Sequence, residues 1–156
     1  MRAVWIAALA AFGIDQASKL IVVHALNLRE LLVIPVLPPF LVFRMGWNEG
    51  VNFGFLAGFD MRWALTALAV AISGLLLWWS RSMTRPAARV SAGLVIGGAL
   101  ANALDRVLYG AVADFLNMSC CGIRNPFAFN LADVFIFAGA AGLVLWSEPK
   151  GGEKTP

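Results

Sequence analysis

The stretch Trp63–Tyr109, WALTALAVAISGLLLWWSRSMTRPAARVSAGLVIGGALANALDRVLY, decides the fold. It holds two apolar runs, Trp63–Ser80 and Val90–Tyr109, each close to the roughly 20 residues a helix needs to cross hydrocarbon. Between them lies Arg81–Arg89, a short connection with three arginines and no acid. The positive-inside rule assigns such a connection to the cytoplasm, so the first run travels inward and the second returns outward.

Two more apolar runs lie outside this pair, Ala3–Leu26 and Leu131–Trp146. Spans at about 3–26, 63–80, 90–109 and 131–146 place both termini in the cytoplasm. Residues 27–62 and 110–130 become outer loops, and 81–89 and the polar tail 147–156 face inward. The chain has 156 residues, 60% of them hydrophobic and 13% charged, far too apolar for a soluble domain and too short for two domains. One membrane domain over 1–156 is the expectation. The N-terminus resembles a signal peptide, but its apolar run continues through Asp15 and Lys19 and reads as a retained span. The net charge of +3 comes with no basic run interleaved with aromatics, which argues against nucleic-acid binding. Trp5, Trp78, Trp79 and Trp146 fall near the inner ends of the spans, and Trp47 and Trp63 near the outer ends, as an interfacial belt does.

The first outer loop carries strand-like segments. Phe40–Met45 and Val51–Phe55 are rich in aromatic and β-branched residues and flank the turn-prone Gly46–Gly50. The expected fold is an all-α membrane protein, a four-helix transmembrane bundle with a small extracytoplasmic β-hairpin in this loop. Gly93, Gly97, Gly98, Gly139 and Gly142 allow its helices to approach closely.

Acids stand where hydrocarbon disfavours them. Asp15, Asp105, Asp114 and Asp133 lie within or at the ends of apolar runs, at a cost of about 3 kcal/mol or more for a charge at mid-bilayer. With the orientation above, Asn102, Asp105 and Arg106 lie near the outer end of the third span, Asp114 just beyond it, and Asn130 and Asp133 at the start of the fourth. All reach one level, the outer rim. Asn102, Asp105 and Tyr109 share one helix face, and Asp15 and Lys19 are spaced to pair. Two close carboxylates share a proton, so that one can activate water while the other polarises a carbonyl. Asp114 and Asp133 are the candidates. For Asp105 the structural expectation is an ion pair with Arg106, and for Asp15 and Lys19 a buried helix-bracing pair. His24 and Glu49 read as surface residues.

Cys120 and Cys121 are adjacent, too close for a tetrahedral zinc site with a single histidine, His24, elsewhere. They read as small packing residues. No Gly-x-Ser-x-Gly, His-Glu-x-x-His or Walker motif occurs. Two rival readings remain. A proton-coupled transporter would use intramembrane carboxylates near the midplane. A non-catalytic assembly subunit would use them only to hold helices together.

The motifs resemble those of lipoprotein signal peptidase, or signal peptidase II, a bacterial family of aspartic proteases. Asp15-Gln-Ala-Ser-Lys19, Asn48-Glu-Gly-Val-Asn-Phe-Gly54, Gly97-Gly-Ala-Leu-Ala-Asn-Ala-Leu-Asp-Arg106, Val112-Ala-Asp-Phe115 and Phe129-Asn-Leu-Ala-Asp133 occur in the family's order. The resemblance implies removal of the signal peptide from diacylglyceryl-modified prolipoproteins, with the cut just N-terminal to the lipidated cysteine. It implies Asp114 and Asp133 as the catalytic dyad. Asn48, Asn102, Asp105, Arg106 and Asn130 would line and order the site, and Asp15 and Lys19 would support it. It also implies no metal or other cofactor, an outer β-cradle and a short surface helix within 27–62, residence in the plasma (inner) membrane, membrane lipids as partners and inhibition by globomycin-type cyclic peptides. Ala101 departs from the pattern by standing where many members have glycine.

Overall fold

A computed structural model describes residues 1–50 and 61–147. The first helix, α1 (Arg2–Lys19), continues through a π-helical turn over Leu20–Ala25. A single helical turn, α2 (Leu28–Leu31), leads into strands β1 (Val33–Leu37) and β2 (Leu41–Asn48). Helix α3 (Met61–Trp79) ends in a 3-10 turn, Ser80–Ser82. Then follow α4 (Pro86–Tyr109), β3 (Val112–Asn117) and α5 (Leu131–Trp146).

α4 is the central helix and packs against α1, α3 and α5, while α1 also touches α5. Small residues allow this closeness. A Cβ on Gly93 would strike the Val4 carbonyl and one on Gly97 the Ala8 carbonyl, both on α1. On the other flank, a Cβ on Gly98 would stand 2.6 Å from the Ala132 carbonyl, and one on Gly139 2.6 Å from that of Ser91. The outward faces stay apolar: Leu68, Val70, Ile72, Leu75 and Trp78 of α3 are all exposed. Among the described residues, three helical segments, Arg2–Ala25, Met61–Ser82 and Pro86–Tyr109, are long and apolar enough to cross a membrane. α5 is apolar but shorter.

The third helical segment starts four residues before the expected Val90. Pro86 takes the first helical position, where a missing N–H costs nothing. Arg89 thereby joins α4, and its Nε donates to the Met83 carbonyl (2.9 Å).

The outer layer also departs from expectation. β2 does not turn at Gly46 but runs on to Asn48, pairing antiparallel with β1 on one side and β3 on the other. Gly46 lies opposite Asp114, next to a shift in register, so this glycine marks an irregular, close strand pairing and not a turn. The chain reverses instead at Pro38–Phe40. The expected second strand, Val51–Phe55, lies outside the described residues. Pro35 is tolerated because β1 is an edge strand. β3 comes from the connection between α4 and α5 and is buried along nearly its whole length. Phe115 on β3 packs with Val22, Val23, Leu28 and Ala113, and meets Phe43 edge-on at 5.8 Å. Burying such a ring contributes about 1.5–3 kcal/mol, which anchors the sheet on the end of α1.

Beyond β3, Asn117 Nδ2 donates to the carbonyls of Asn125 (2.8 Å) and Phe127 (2.7 Å), and Phe129 bridges back to Leu116. At the tip, Cys120 and Cys121 are free and exposed, not packed. Cys121 and Gly122 both have positive φ (58° and 80°) in a turn closed by Ile123 N–H to the Cys120 carbonyl. That turn carries the side chains away from the core.

Candidate active site

The site forms where α1, α4, β3 and the start of α5 meet. Asn130 caps α5: its Oδ1 accepts the Asp133 N–H (2.9 Å), and the Asp133 carboxylate accepts the Asn130 N–H (3.3 Å). This reciprocal box satisfies two groups that a helix start leaves open. The Ala132 N–H goes to Asp15 Oδ1 (2.8 Å), so α1 helps cap α5.

Lys19 is the electrostatic centre of the supporting layer. Its Nζ lies 2.6 Å from Asp15 Oδ2 and 2.7 Å from Asp105 Oδ2, and donates to Asn102 Oδ1 at 3.2 Å. An ammonium has three protons, and all three are used. Asp105 also accepts from Gln16 Nε2 (2.9 Å) and from the Ala113 N–H (3.2 Å), which ties α4 to β3. Asp15, Lys19 and Asp105 are all buried. A buried charge is tolerable only with this degree of pairing.

Asp114 and Asp133 are held differently. Asp114 Oδ1 accepts from Asn130 Nδ2 (2.6 Å) and Oδ2 from Asn48 Nδ2 (3.0 Å). Asp133 Oδ1 accepts from Asn102 Nδ2 (2.9 Å). Asn130 Nδ2 also donates to Asn102 Oδ1 (3.1 Å), so a chain of two amides joins the two carboxylates. No salt bridge reaches either acid among the described residues. The Arg106 guanidinium acts on both at longer range, while its Nε is buried with no partner among those residues. Burial pushes the Asp114 carboxyl up to about 6; the Asn48 hydrogen bond opposes this, the Asp133 charge adds to it, and Asn130 and Lys19 oppose it again. A carboxyl in that range can hold or release a proton near neutrality. Asp133 also lies on an apolar groove of about 530 Å³, walled by Phe129, Val134, Phe137 and Ala138.

Asp15, Lys19, Asn48, Asn102, Asp105, Asp114, Asn130 and Asp133 thus form one connected network. Arg106 is beside it, but the expected Asp105–Arg106 ion pair does not form. Neighbouring residues on a helix point about 100° apart; Asp105 turns to Lys19, and Arg106 Nη1 reaches the Asn102 carbonyl (3.4 Å). Tyr109 lies outside the network and contacts His24 and Trp47. Sequence reasoning missed Gln16 and the Ala113 and Ala132 amides. Gln16 had a visible signal, a polar group in an apolar helix beside Asp15; the amides had none. Among the described residues no three His, Cys, Asp or Glu side chains converge as metal ligands.

Residues 7–148 match the family model described as signal peptidase (SPase) II. The lipoprotein signal peptidase of Aeromonas hydrophila subsp. hydrophila is 44% identical over 93% of this chain and 87% of its own length. That of Alteromonas mediterranea is 40% identical over 99% of this chain and 85% of its own, and one from Rhodopseudomonas palustris 39% over 89% and 87%. Two solved bacterial membrane enzymes, determined in meso at 2.3 and 1.9 Å, share the fold at 24% identity. Their TM-scores are 0.74 and 0.77, and they cover 97% and 94% of this chain and 93% and 92% of their own. The chain belongs to the signal peptidase II family and is a multi-pass membrane peptidase.

Proposed function

We propose that this protein removes the signal peptide from diacylglyceryl-modified prolipoproteins, cutting N-terminal to the lipidated cysteine, with Asp114 and Asp133 as its catalytic dyad. The observation that carries this reading is the pair of acids from separate segments, joined by Asn130 and Asn102 and with no ion pair among the described residues.

The dyad works as a pair in which one acid holds the proton and the other acts as base. Asp133, at the positive end of the α5 dipole, is the carboxylate that takes a proton from water. Asp114, the acid pushed up by burial, carries the proton that polarises the scissile carbonyl. Water oxygen adds to the carbonyl carbon, and Asp114 protonates the carbonyl oxygen. Asp133 returns its proton to the departing nitrogen as the C–N bond breaks, and the hydroxyl proton goes back to Asp114. Arg106 and Asn48 steady the charge that shifts between the two acids. The groove beside Asp133 suits a substrate arriving from lipid, so its acyl chains need not leave the bilayer.

Four spans carry the chain through the bacterial plasma membrane as one domain, with both termini in the cytoplasm and the dyad at the extracytoplasmic face. Cyclic peptides of the globomycin type would inhibit by occupying the dyad. The test is purified protein incubated with a diacylglyceryl-modified prolipoprotein, with and without globomycin. Cleavage that globomycin blocks is expected; no shortened product in any lipid or detergent would refute the proposal.

A further inference from the structure

A second cavity, of about 470 Å³, opens at the outer end of α4, away from the dyad. Its walls are Arg29 from α2, Trp47 and Glu49 from the end of β2 and just beyond it, and Leu108, Tyr109 and Ala111 from the end of α4 and just beyond it. The Arg29 and Glu49 side chains bear opposite charges, face one space, and have no hydrogen-bond or ion-pair partner among the described residues. Trp47 and Tyr109 lie against each other at 5.8 Å, each partly exposed. Below them Leu108 is exposed on the apolar flank of α4.

We infer that this cavity holds the headgroup of a zwitterionic phospholipid, with its phosphate on Arg29 and its ammonium between Glu49 and the Trp47–Tyr109 rings. A guanidinium suits phosphate and aromatic faces attract an ammonium. A cation and an anion in one pocket, without partners among the described residues, match a ligand carrying both charges. Trp and Tyr favour headgroup depth, and Leu108 offers an apolar track for an acyl chain. The substrate's diacylglyceryl group has neither phosphate nor amine, so this is not its site. The occupant would also steady catalysis. Trp47 pairs with Ala113, next to Asp114, and the adjoining Asn48 donates to Asp114. The inference rests on the proposed placement of this end of the bundle at the membrane surface.

Native mass spectrometry of the full chain, with equal amounts of dioleoyl phosphatidylethanolamine and phosphatidylglycerol, tests it. Phosphatidylethanolamine should be retained in excess. Arg29→Gln and Glu49→Gln should each cut its retention about fivefold, the scale of one interfacial charge, with unfolding temperature unchanged. Equal retention of the two lipids, or variants that hold phosphatidylethanolamine as well as the parent, would overturn the inference. Displacement by soluble phosphoethanolamine would overturn the lipid as the source. The readout needs no cleavage. A protein that cleaves but holds no lipid sinks this inference alone, and one that holds lipid but does not cleave sinks the proposed function alone.

Discussion

Two groups of acids lie side by side in this protein and are treated in opposite ways. Asp15 and Asp105 share one saturated ammonium and accept backbone N–H groups from α5 and from the start of the β3 segment. Asp114 and Asp133 accept chiefly from side-chain amides and have no ion pair among the described residues. The first arrangement fixes charge, since removing its cation leaves two buried anions. The second leaves charge free to move, because an amide donor tolerates either protonation state. Under the proposed dyad, acids that build the protein and acids that do its chemistry are told apart by their donors and not by their depth.

That contrast can be broken most directly at the dyad. Asp114→Asn and Asp133→Asn should each lower prolipoprotein cleavage on the order of 10⁴-fold, the upper range for loss of an acid–base group, while leaving thermal unfolding in detergent close to the parent. Normal processing by either variant would remove the dyad assignment. Lys19→Met should do the reverse. It strands Asp15 and Asp105, and a buried pair broken from one side costs about 3–5 kcal/mol, read as a lower unfolding temperature. A Lys19→Met protein as stable as the parent would mean that the supporting layer is not electrostatic. Gly97→Ala probes packing alone: its Cβ meets the Ala8 carbonyl, and overpacking of this kind costs about 1–3 kcal/mol.

The smallest effect concerns pH. Asp114 is raised from 3.8 to about 6, so the folded protein keeps a proton that the unfolded chain has released. Its contribution to stability is complete below 3.8 and is lost as pH rises through about 6. In the free enzyme, kcat/KM should likewise fall on the alkaline side near pH 6. Asn48→Ala removes a hydrogen bond that favours the charged form, so this limb should move to higher pH. A limb that stays put or moves down would show that Asn48 does not tune Asp114.

Much of this was legible in the sequence because hydrocarbon is a severe filter. A polar residue in an apolar run is costly, so Asp15, Lys19, Asn102, Asp105 and Asp133 stand out in the sequence; the orientation assigned to the spans predicts Asn102, Asp105, Asp114, Asn130 and Asp133 at one level. What failed had a different physical basis. The Asp105–Arg106 pairing was inferred from adjacency, which on a helix separates side chains. β3 reads as part of a loop because it is buried on both faces and shows no alternation. Gly46 reads as a turn residue in the sequence, although its lack of a Cβ serves close strand pairing. Cys120 and Cys121 read as packing residues in the sequence, but a turn with positive φ turns them outward.

The π-helical turn over Leu20–Ala25 bears on the phase of the first helix. Its wider winding, marked by the Leu26 N–H reaching the Ile21 carbonyl (2.8 Å), holds one residue more per turn than an α-helix does. Before it, Asp15 and Lys19 face α4 and α5; within it, Val22 and Val23 pack with Phe115 of the sheet. One continuous helix therefore serves two layers whose bearings differ. The extra residue acts as a vernier between them, setting the angle at which the outer sheet, with Asp114 on it, is brought over the start of α5.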